Sequence, residues 1–429
     1  MTKTPDINKW MDYKFGMFIH YGLYSILGQG EWAMFSKQID KDEYAKLSDR
    51  FTAEKFNAPA LADLAKRAGM RYMVMTARHH DGFSLFDSKH SIGDFTVMRT
   101  PAGRDLIREY TDACRAAGLG VGIYYSPMDW RCEGFFLPGM YRRSALEMRA
   151  QCHNQVRELI RNYGKLDILW YDGGEDYWLG HGVHINRFRR PEDYKSNPQY
   201  PGFWGERELD EMVRTAQPGI VIDNRLGMRE CGDYVTPEKV IGGFNIKEPW
   251  ETCDTLTEMW GWMPDRPILS LETVVHMLID VITGGGNLLL NVSPMGDGSI
   301  EPAHAERLLE VGAWTKKYAD AIYCTRGGPV KNNKEIGGAV NKGDKVWFYI
   351  KNKNCTKVRL PLPHDAKPLT VRSLTGEPIQ SAVTDGILTA ALPESGRDSL
   401  ASIVEITLNR PVSELYADFD PDTFDAFAQ

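Results

Sequence analysis

The sequence is short of everything that would place a protein on a polyanion or in a bilayer. The formal net charge of its 429 residues is −7, so no basic surface is available for nucleic acid. No stretch approaches the ~20 consecutive apolar residues of a membrane span. The N-terminal run MTKTPDINKWMDYKFGMF lacks the roughly 7–15-residue apolar segment of a signal peptide. The chain as written therefore reads as cytoplasmic, although a secreted or periplasmic protein relieved of its signal peptide would read the same way. Cysteine is scarce: seven residues, the nearest two eighteen positions apart, which excludes CxxC redox and zinc motifs and leaves free thiols as the expectation. HExxH and GxxxxGK are missing too, so neither a zincin helix nor a phosphate-binding loop is encoded. No internal repeat or low-complexity tract occurs.

What is there is an ordinary globular composition, 42% hydrophobic and 25% charged, with enough length for two domains, one of which can be a barrel of about 250 residues or more. Eleven tryptophans and nineteen tyrosines supply core aromatics and, in other proteins, the walls of sugar pockets. Short apolar runs alternate with amphipathic helical segments up to about residue 325. The strands read as KFGMFIHYG, RYMVMTARH, GLGVGIYYS, KLDILWYDGG, GIVIDNRLG and NLLLNVSP. Between them AEKFNAPALADLAKRAG, RDLIREYTDACRAAG and EMRAQCHNQVRELIRNYG repeat apolar residues at helical spacing and end in glycine. The pattern is that of a parallel sheet with crossover helices, and the fold class expected is a (β/α)8-like barrel over 1–325, irregular because two strands are not legible between 240 and 275. KVWFYIKN, KVRLPLP, LTVRSLTG, ILTAALP and ASIVEITLN, separated by turn residues, predict a C-terminal antiparallel β-sandwich over 326–410. The tail 411–429 carries five acids and no base, so it is expected to lie on the surface or to be disordered.

Polar residues recur at the C-terminal ends of the strands. His20 closes the first, His79 and His80 the second, Tyr124 and Tyr125 the third, Asp172 the fourth, Asn224 and Arg225 the fifth. One such ending is a turn beginning; five at the same end of a sheet predict a shared pocket, where barrel enzymes keep their sites. In ILWYDGG the two-residue period puts Ile168, Trp170 and Asp172 on one face, so a carboxylate stands directly above an indole in the lumen. A metal site built on His79, His80 and Asp81 is the rival reading of HHD. It lacks further ligands at metal spacing, and adjacent strand residues point to opposite faces unless the strand has ended, so neither metal nor cofactor is expected.

FGMFIHYGLYS with GEW at 30–32, TARHHDGFSLFDSK, GIYYSPMDW, ILWYDGG, PWETCDTL and NLLLNVSPMGDGSI, in this order, resemble the retaining α-L-fucosidases of glycoside hydrolase family 29. The resemblance covers residue 10 to about 325. It implies exo-acting release of terminal L-fucose from a fucosylated glycan by double displacement, with Asp172 as nucleophile. It implies that His20, Glu31, Trp32, His79, His80, Tyr124, Trp170, Arg225 and Glu251 lie against the sugar. The acid/base falls in a variable loop, where Glu230, Asp233, Glu238, Glu248 and Glu251 are candidates; Glu238, in GDYVTPEK, is preferred. Leu226 stands where the family commonly has tryptophan beside the arginine. A fucose-binding protein without catalysis, and a related retaining glycosidase acting on another sugar such as α-L-galactose, are the alternatives.

Overall fold

The computed structural model describes residues 5–175, 178–180, 200–363, 365–376, 378–395 and 397–428. Seven parallel strands form its first sheet: β1 (Phe15–Ile19), β2 (Tyr72–Arg78), β3 (Gly120–Tyr125), β4 (Ile168–Tyr171), β5 (Val221–Ile222), β6 (Glu251–Thr255) and β7 (Asn287–Val292). Their order is β5-β4-β3-β2-β1-β7-β6. The edges β5 and β6 are not paired with each other. Residues 234–238 run between them and make single parallel bridges, Asp223 with Tyr234, Val235 with Trp250 and Glu238 with Cys253. The sheet is thus an irregular, half-open barrel whose missing stave is a stretch of loose backbone. Of the two strands not legible in the sequence, β6 lies between 240 and 275, and the other is this bridging segment just before that window.

Both faces of the parallel sheet are covered, which is why its strands read as almost continuous apolar runs. Outward residues such as Met17, Met73, Ile123, Leu169 and Leu290 pack in one core with the surrounding helices. Inward residues Phe18, Tyr72, Val74, Tyr124, Ile168, Trp170 and Leu289 form a second cluster that fills the lumen. Trp10, from the N-terminal helix Ile7–Tyr13, joins that cluster and meets Tyr234 with ring centroids 4.3 Å apart. Each fully buried aliphatic or aromatic side chain contributes about 1.5–3 kcal/mol. Helix starts are set by side-chain caps, Asn57 accepting from Ala60 N at 3.0 Å and Asp105 from Arg108 N at 2.8 Å, each satisfying an otherwise orphaned amide.

The C-terminal part contains β8 (Arg326–Gly327), β9 (Gly337–Lys342), β10 (Lys345–Ile350), β11 (Lys357–Pro361), β12 (Pro368–Ser373), β13 (Gln380–Thr384), β14 (Ile387–Ala391) and β15 (Ser402–Leu408). They make an antiparallel five-stranded sheet, β12-β15-β10-β9-β8, and a three-stranded one, β11-β14-β13. Val346, Phe348, Val404 and Ile406 face Val358, Leu360, Leu388 and Ala390 across the core between them. Alternate residues Trp347, Tyr349 and Ile403 pack instead with the barrel, where Lys351 Nζ and Asp280 form a buried ion pair.

The tail differs from its expectation. Val412, Leu415, Tyr416, Ala426 and Phe427 are built into the sandwich core, and Tyr416 Oη donates to Pro361 O at 2.6 Å. The apolar residues spaced between the acids decide its placement, and charge counting alone overlooks them. No helix among the described residues is long and apolar enough to cross a membrane.

Candidate active site

The alternation along β4 holds: Ile168 and Trp170 are in the lumen cluster, while Leu169 and Tyr171 face the outer core. Asp172 follows at the mouth, and the chain leaves through Gly173 at φ 76°, where a Cβ would sit 2.1 Å from Met128 Cε. Only glycine suits that position. Strand β2 ends in the same way. Arg78, fully buried, pairs with Asp129 at 2.8 Å and donates to the carbonyls of Ser126 and Met128, which ties the end of β2 to the loop after β3. His79 and His80 then turn inward, and Asp81 turns away to accept Tyr44 Oη at 2.8 Å and Phe83 N at 3.1 Å. Gly82 closes the turn at φ 79° with no room for a Cβ beside Asp129.

These ends surround a cavity of about 130 Å³, far below the ~300–1,000 Å³ of drug-sized sites and on the scale of one sugar ring. His20, Trp32, His79, His80, Tyr124, Trp170, Asp172, Arg225 and Glu238 line it, as the sequence predicts. Glu31 and Glu251 do not. Glu31 is buried behind the wall, accepting Gly261 N at 2.7 Å. Glu251 lies in the layer beneath, accepting Tyr72 Oη and, at 3.1 Å, Trp170 Nε1; burial pushes its carboxyl up to about 7. Tyr125 points outward to Gln155 Oε1 at 2.9 Å.

Asp172 is the electrostatic centre. Its Oδ2 accepts Tyr124 Oη at 2.8 Å and lies 3.4 Å from His80 Nε2; its Oδ1 accepts Arg225 Nη1 at 3.1 Å. Burial alone would raise its pKa, but the His80 contact, the Arg225 charge and the Tyr124 hydroxyl outweigh it and hold the carboxyl well below the usual range. His80 is oriented from behind by Ser126 Oγ at 2.6 Å from Nδ1. His20 meets Asn291 Oδ1 at 2.7 Å through Nδ1. That contact makes Nδ1 the protonated nitrogen and leaves Nε2 as an acceptor. Burial holds its pKa down to about 4 despite the Asn291 bond, so the ring is neutral. Burial likewise pushes His79 well below its ordinary value, and its Nδ1 has no hydrogen-bond partner among the described residues. His79, His80 and Asp172 could offer a metal three donor atoms within 4.8 Å of one another. The Arg225 charge already sits on that carboxylate and opposes a cation there.

Arg225 is fixed by Thr236, through Nε to Oγ1 at 2.7 Å and Nη2 to O at 3.0 Å, and stacks over Trp170 with Cζ 4.8 Å from a ring centroid. Leu226 beside it is buried, so the arginine is held by Thr236 and Trp170 without a tryptophan next to it in the sequence. The same Nη1 that meets Asp172 also donates to Glu238 Oε2 at 2.9 Å. The two carboxylate oxygens therefore lie within about 6 Å of each other. Of the other acid/base candidates, Glu230 and Glu248 form exposed pairs with Arg207 and Arg229, and Asp233 a buried pair with Arg214. None of these, nor Glu251, lines the cavity.

Phe18, Trp178, Cys253 and Trp260 also line the cavity and were not foreseen. Phe18 was within reach, since it stands two residues before His20 on one face of β1. Glu175 was missed as well: burial pushes it up to about 7 against the pull of Arg225, and it accepts Trp178 Nε1 at 3.1 Å. A wider groove of about 510 Å³ lies where the chain enters β4 and β5, lined by Lys165, Leu166, Gln217 and Ile220 among others. It is at the opposite end of those strands and holds no carboxylate.

A family description, alpha-L-fucosidase, matches residues 2–320. Over 346 residues the chain is 30% identical to plasma alpha-L-fucosidase of Homo sapiens, spanning 74% of this chain and 69% of that protein. Alpha-L-fucosidase isoenzyme 1 from Paenibacillus thiaminolyticus superposes with a TM-score of 0.79 at 32% identity, over 94% of this chain and 99% of that one. Thermotoga maritima alpha-fucosidase, solved in complex with fucose, does so with a TM-score of 0.73 at 28% identity, over 94% and 97%.

Proposed function

This chain belongs to the alpha-L-fucosidase family and is a glycoside hydrolase of that activity, and on that premise we propose that it releases single terminal fucose residues from fucosylated glycans by double displacement. Asp172, kept ionised by Arg225, His80 and Tyr124, attacks the anomeric carbon. Glu238 gives its proton to the departing glycosidic oxygen, so the aglycone leaves as an alcohol and a fucosyl ester of Asp172 remains. Glu238, now a carboxylate, takes a proton from water; the hydroxide attacks the same carbon and Asp172 departs. The observation that carries this reading is the shared Arg225 nitrogen. It limits the nearest oxygens of the two carboxylates to a separation of at most about 6 Å, which accommodates the ~5–5.5 Å of retaining enzymes and falls short of the ~6.5–9.5 Å that an inverting pair needs for an intervening water.

The small cavity supports exo action, because it encloses one ring and leaves the aglycone outside. Neutral His20 accepts a sugar hydroxyl at Nε2, and Phe18 and Trp260 offer an apolar wall for the C6 methyl. Proton NMR of the first-formed sugar tests the reading: α-L-fucose is expected before mutarotation, and β-L-fucose appearing first would replace double displacement by inversion.

A further inference from the structure

Glu238 is weakly held by its own backbone. It belongs to no strand, makes a single bridge to Cys253, and its side chain is 42% exposed. Its orientation comes from two side-chain donors, Arg225 Nη1 on Oε2 and the indole Nε1 of Trp260 on Oε1 at 3.0 Å. Trp260 is, by contrast, clamped through its backbone. Asn291 Nδ2 donates to its carbonyl at 2.8 Å, Ser293 Oγ donates to the same carbonyl, and the next amide, Gly261 N, donates to Glu31 Oε2 at 2.7 Å. Asn291 belongs to the NLLLNVSP motif and Glu31 to GEW, and neither side chain lines the cavity itself. The charged groups facing Glu238 are Arg225, Lys239 and Asp254, and Lys239 Nζ lies 5.5 Å from the Trp260 ring centroid.

We propose that Trp260 is a positioning residue for the reaction: its indole N–H aims the Glu238 carboxyl at the leaving oxygen, and Glu31 and Asn291 hold the indole in place to do so. The inference rests on Glu238 being the acid/base. An N–H donated to a carboxylate also favours its ionised form, so removing it should raise the pH at which Glu238 stops acting as an acid.

Trp260→Phe keeps a ring in the wall and deletes the N–H. On a linked fucosyl disaccharide kcat is expected to fall roughly tenfold, the scale of one hydrogen bond to a charged group. With 4-nitrophenyl α-L-fucoside, which needs little protonation, the loss should be small. KM should hardly move, and the basic limb of the disaccharide pH profile should shift upward. Glu31→Ala, which frees Gly261 from behind the wall, should repeat the pattern more weakly. In a Glu238→Ala background Trp260→Phe should add no further loss. Equal losses on both substrates, a raised KM with an unmoved pH profile, or a further loss in the Glu238→Ala background would overturn the inference in favour of a simple sugar platform. If Glu238→Ala shows the leaving-group dependence and Trp260→Phe does not, positioning alone fails. If Glu238→Ala does not show it, the acid/base assignment fails and the inference with it.

Discussion

The two sides of the barrel mouth hold their carboxylates in opposite ways. On the ordered side Asp172 follows a parallel ladder in which Tyr124 pairs with Trp170 and Tyr125 with Tyr171, and its own amide donates to Tyr125 O at 3.2 Å. Backbone hydrogen bonds fix it before any side chain acts. On the open side, between β5 and β6, Glu238 is carried by loose chain and aimed only by Arg225 and Trp260. The difference matches the role proposed for each group. A nucleophile must meet carbon at bonding geometry, where small displacements are expensive in rate. A proton donor works through a hydrogen bond and can be re-aimed by its neighbours, so it tolerates an irregular support.

The largest test of this contrast is on the ordered side. Asp172→Gly removes the nucleophile while leaving the ladder intact, and turnover should fall by on the order of 10⁴-fold or more. Azide should restore part of it and yield β-fucosyl azide, detectable by mass spectrometry and NMR. Substantial turnover without azide would show that another group attacks.

On the open side Glu238→Ala should cost about 10²–10⁴-fold on a linked fucosyl oligosaccharide, with far less effect on fucosyl transfer from an activated aryl fucoside, and the basic limb of the pH profile should disappear. The same two substrates run on Glu230→Ala, Asp233→Ala and Glu248→Ala should show no such split. A split in any of these and not in Glu238→Ala would move the acid/base to that residue.

The smallest expected effect lies beneath both sides. Glu251 has a folded pKa of about 7 against an ordinary 4.5. Between those values the folded chain keeps a proton that the unfolded chain has released, so this group's contribution to stability declines as pH rises through that window and is fully lost above about 7. Glu251→Gln removes the titration. Thermal melts of the variant should fall less than those of the wild type between pH 5 and pH 8, by roughly 1–3 kcal/mol after discounting for coupling to Tyr72 and Trp170. Identical slopes would mean that the buried carboxyl is not the titrating group.

The same contrast governs how much could be read beforehand. Period-two alternation located Asp172 and Trp170 because regular strands convert spacing into direction, and the histidines were located by their place at the strand ends. It did not reveal β6, since ETCDT is polar at four of its five positions and has no apolar alternation. Nor did it reveal the bridging segment 234–238, which makes only isolated single bridges to its neighbours. Trp260 lies in the loop after β6, where no period operates, and its role depends on contacts with Glu238 and Asn291 that are distant in sequence. Glu31 and Glu251 were assigned to the sugar because they sit in motifs. A motif marks a neighbourhood but does not say whether a side chain faces the cavity or supports it from behind.

Sharing one Arg225 nitrogen between two carboxylates also ties the two proposed roles together. In the free enzyme the guanidinium divides its hydrogen bonds between Asp172 and Glu238. When the proposed ester forms, Asp172 loses its charge and the hold of Arg225 passes toward Glu238, the group then proposed to act as base. Arg225 is in that sense the pivot of a see-saw: neutralising one end moves the pull of the cation to the other, and the change needs no loop to move.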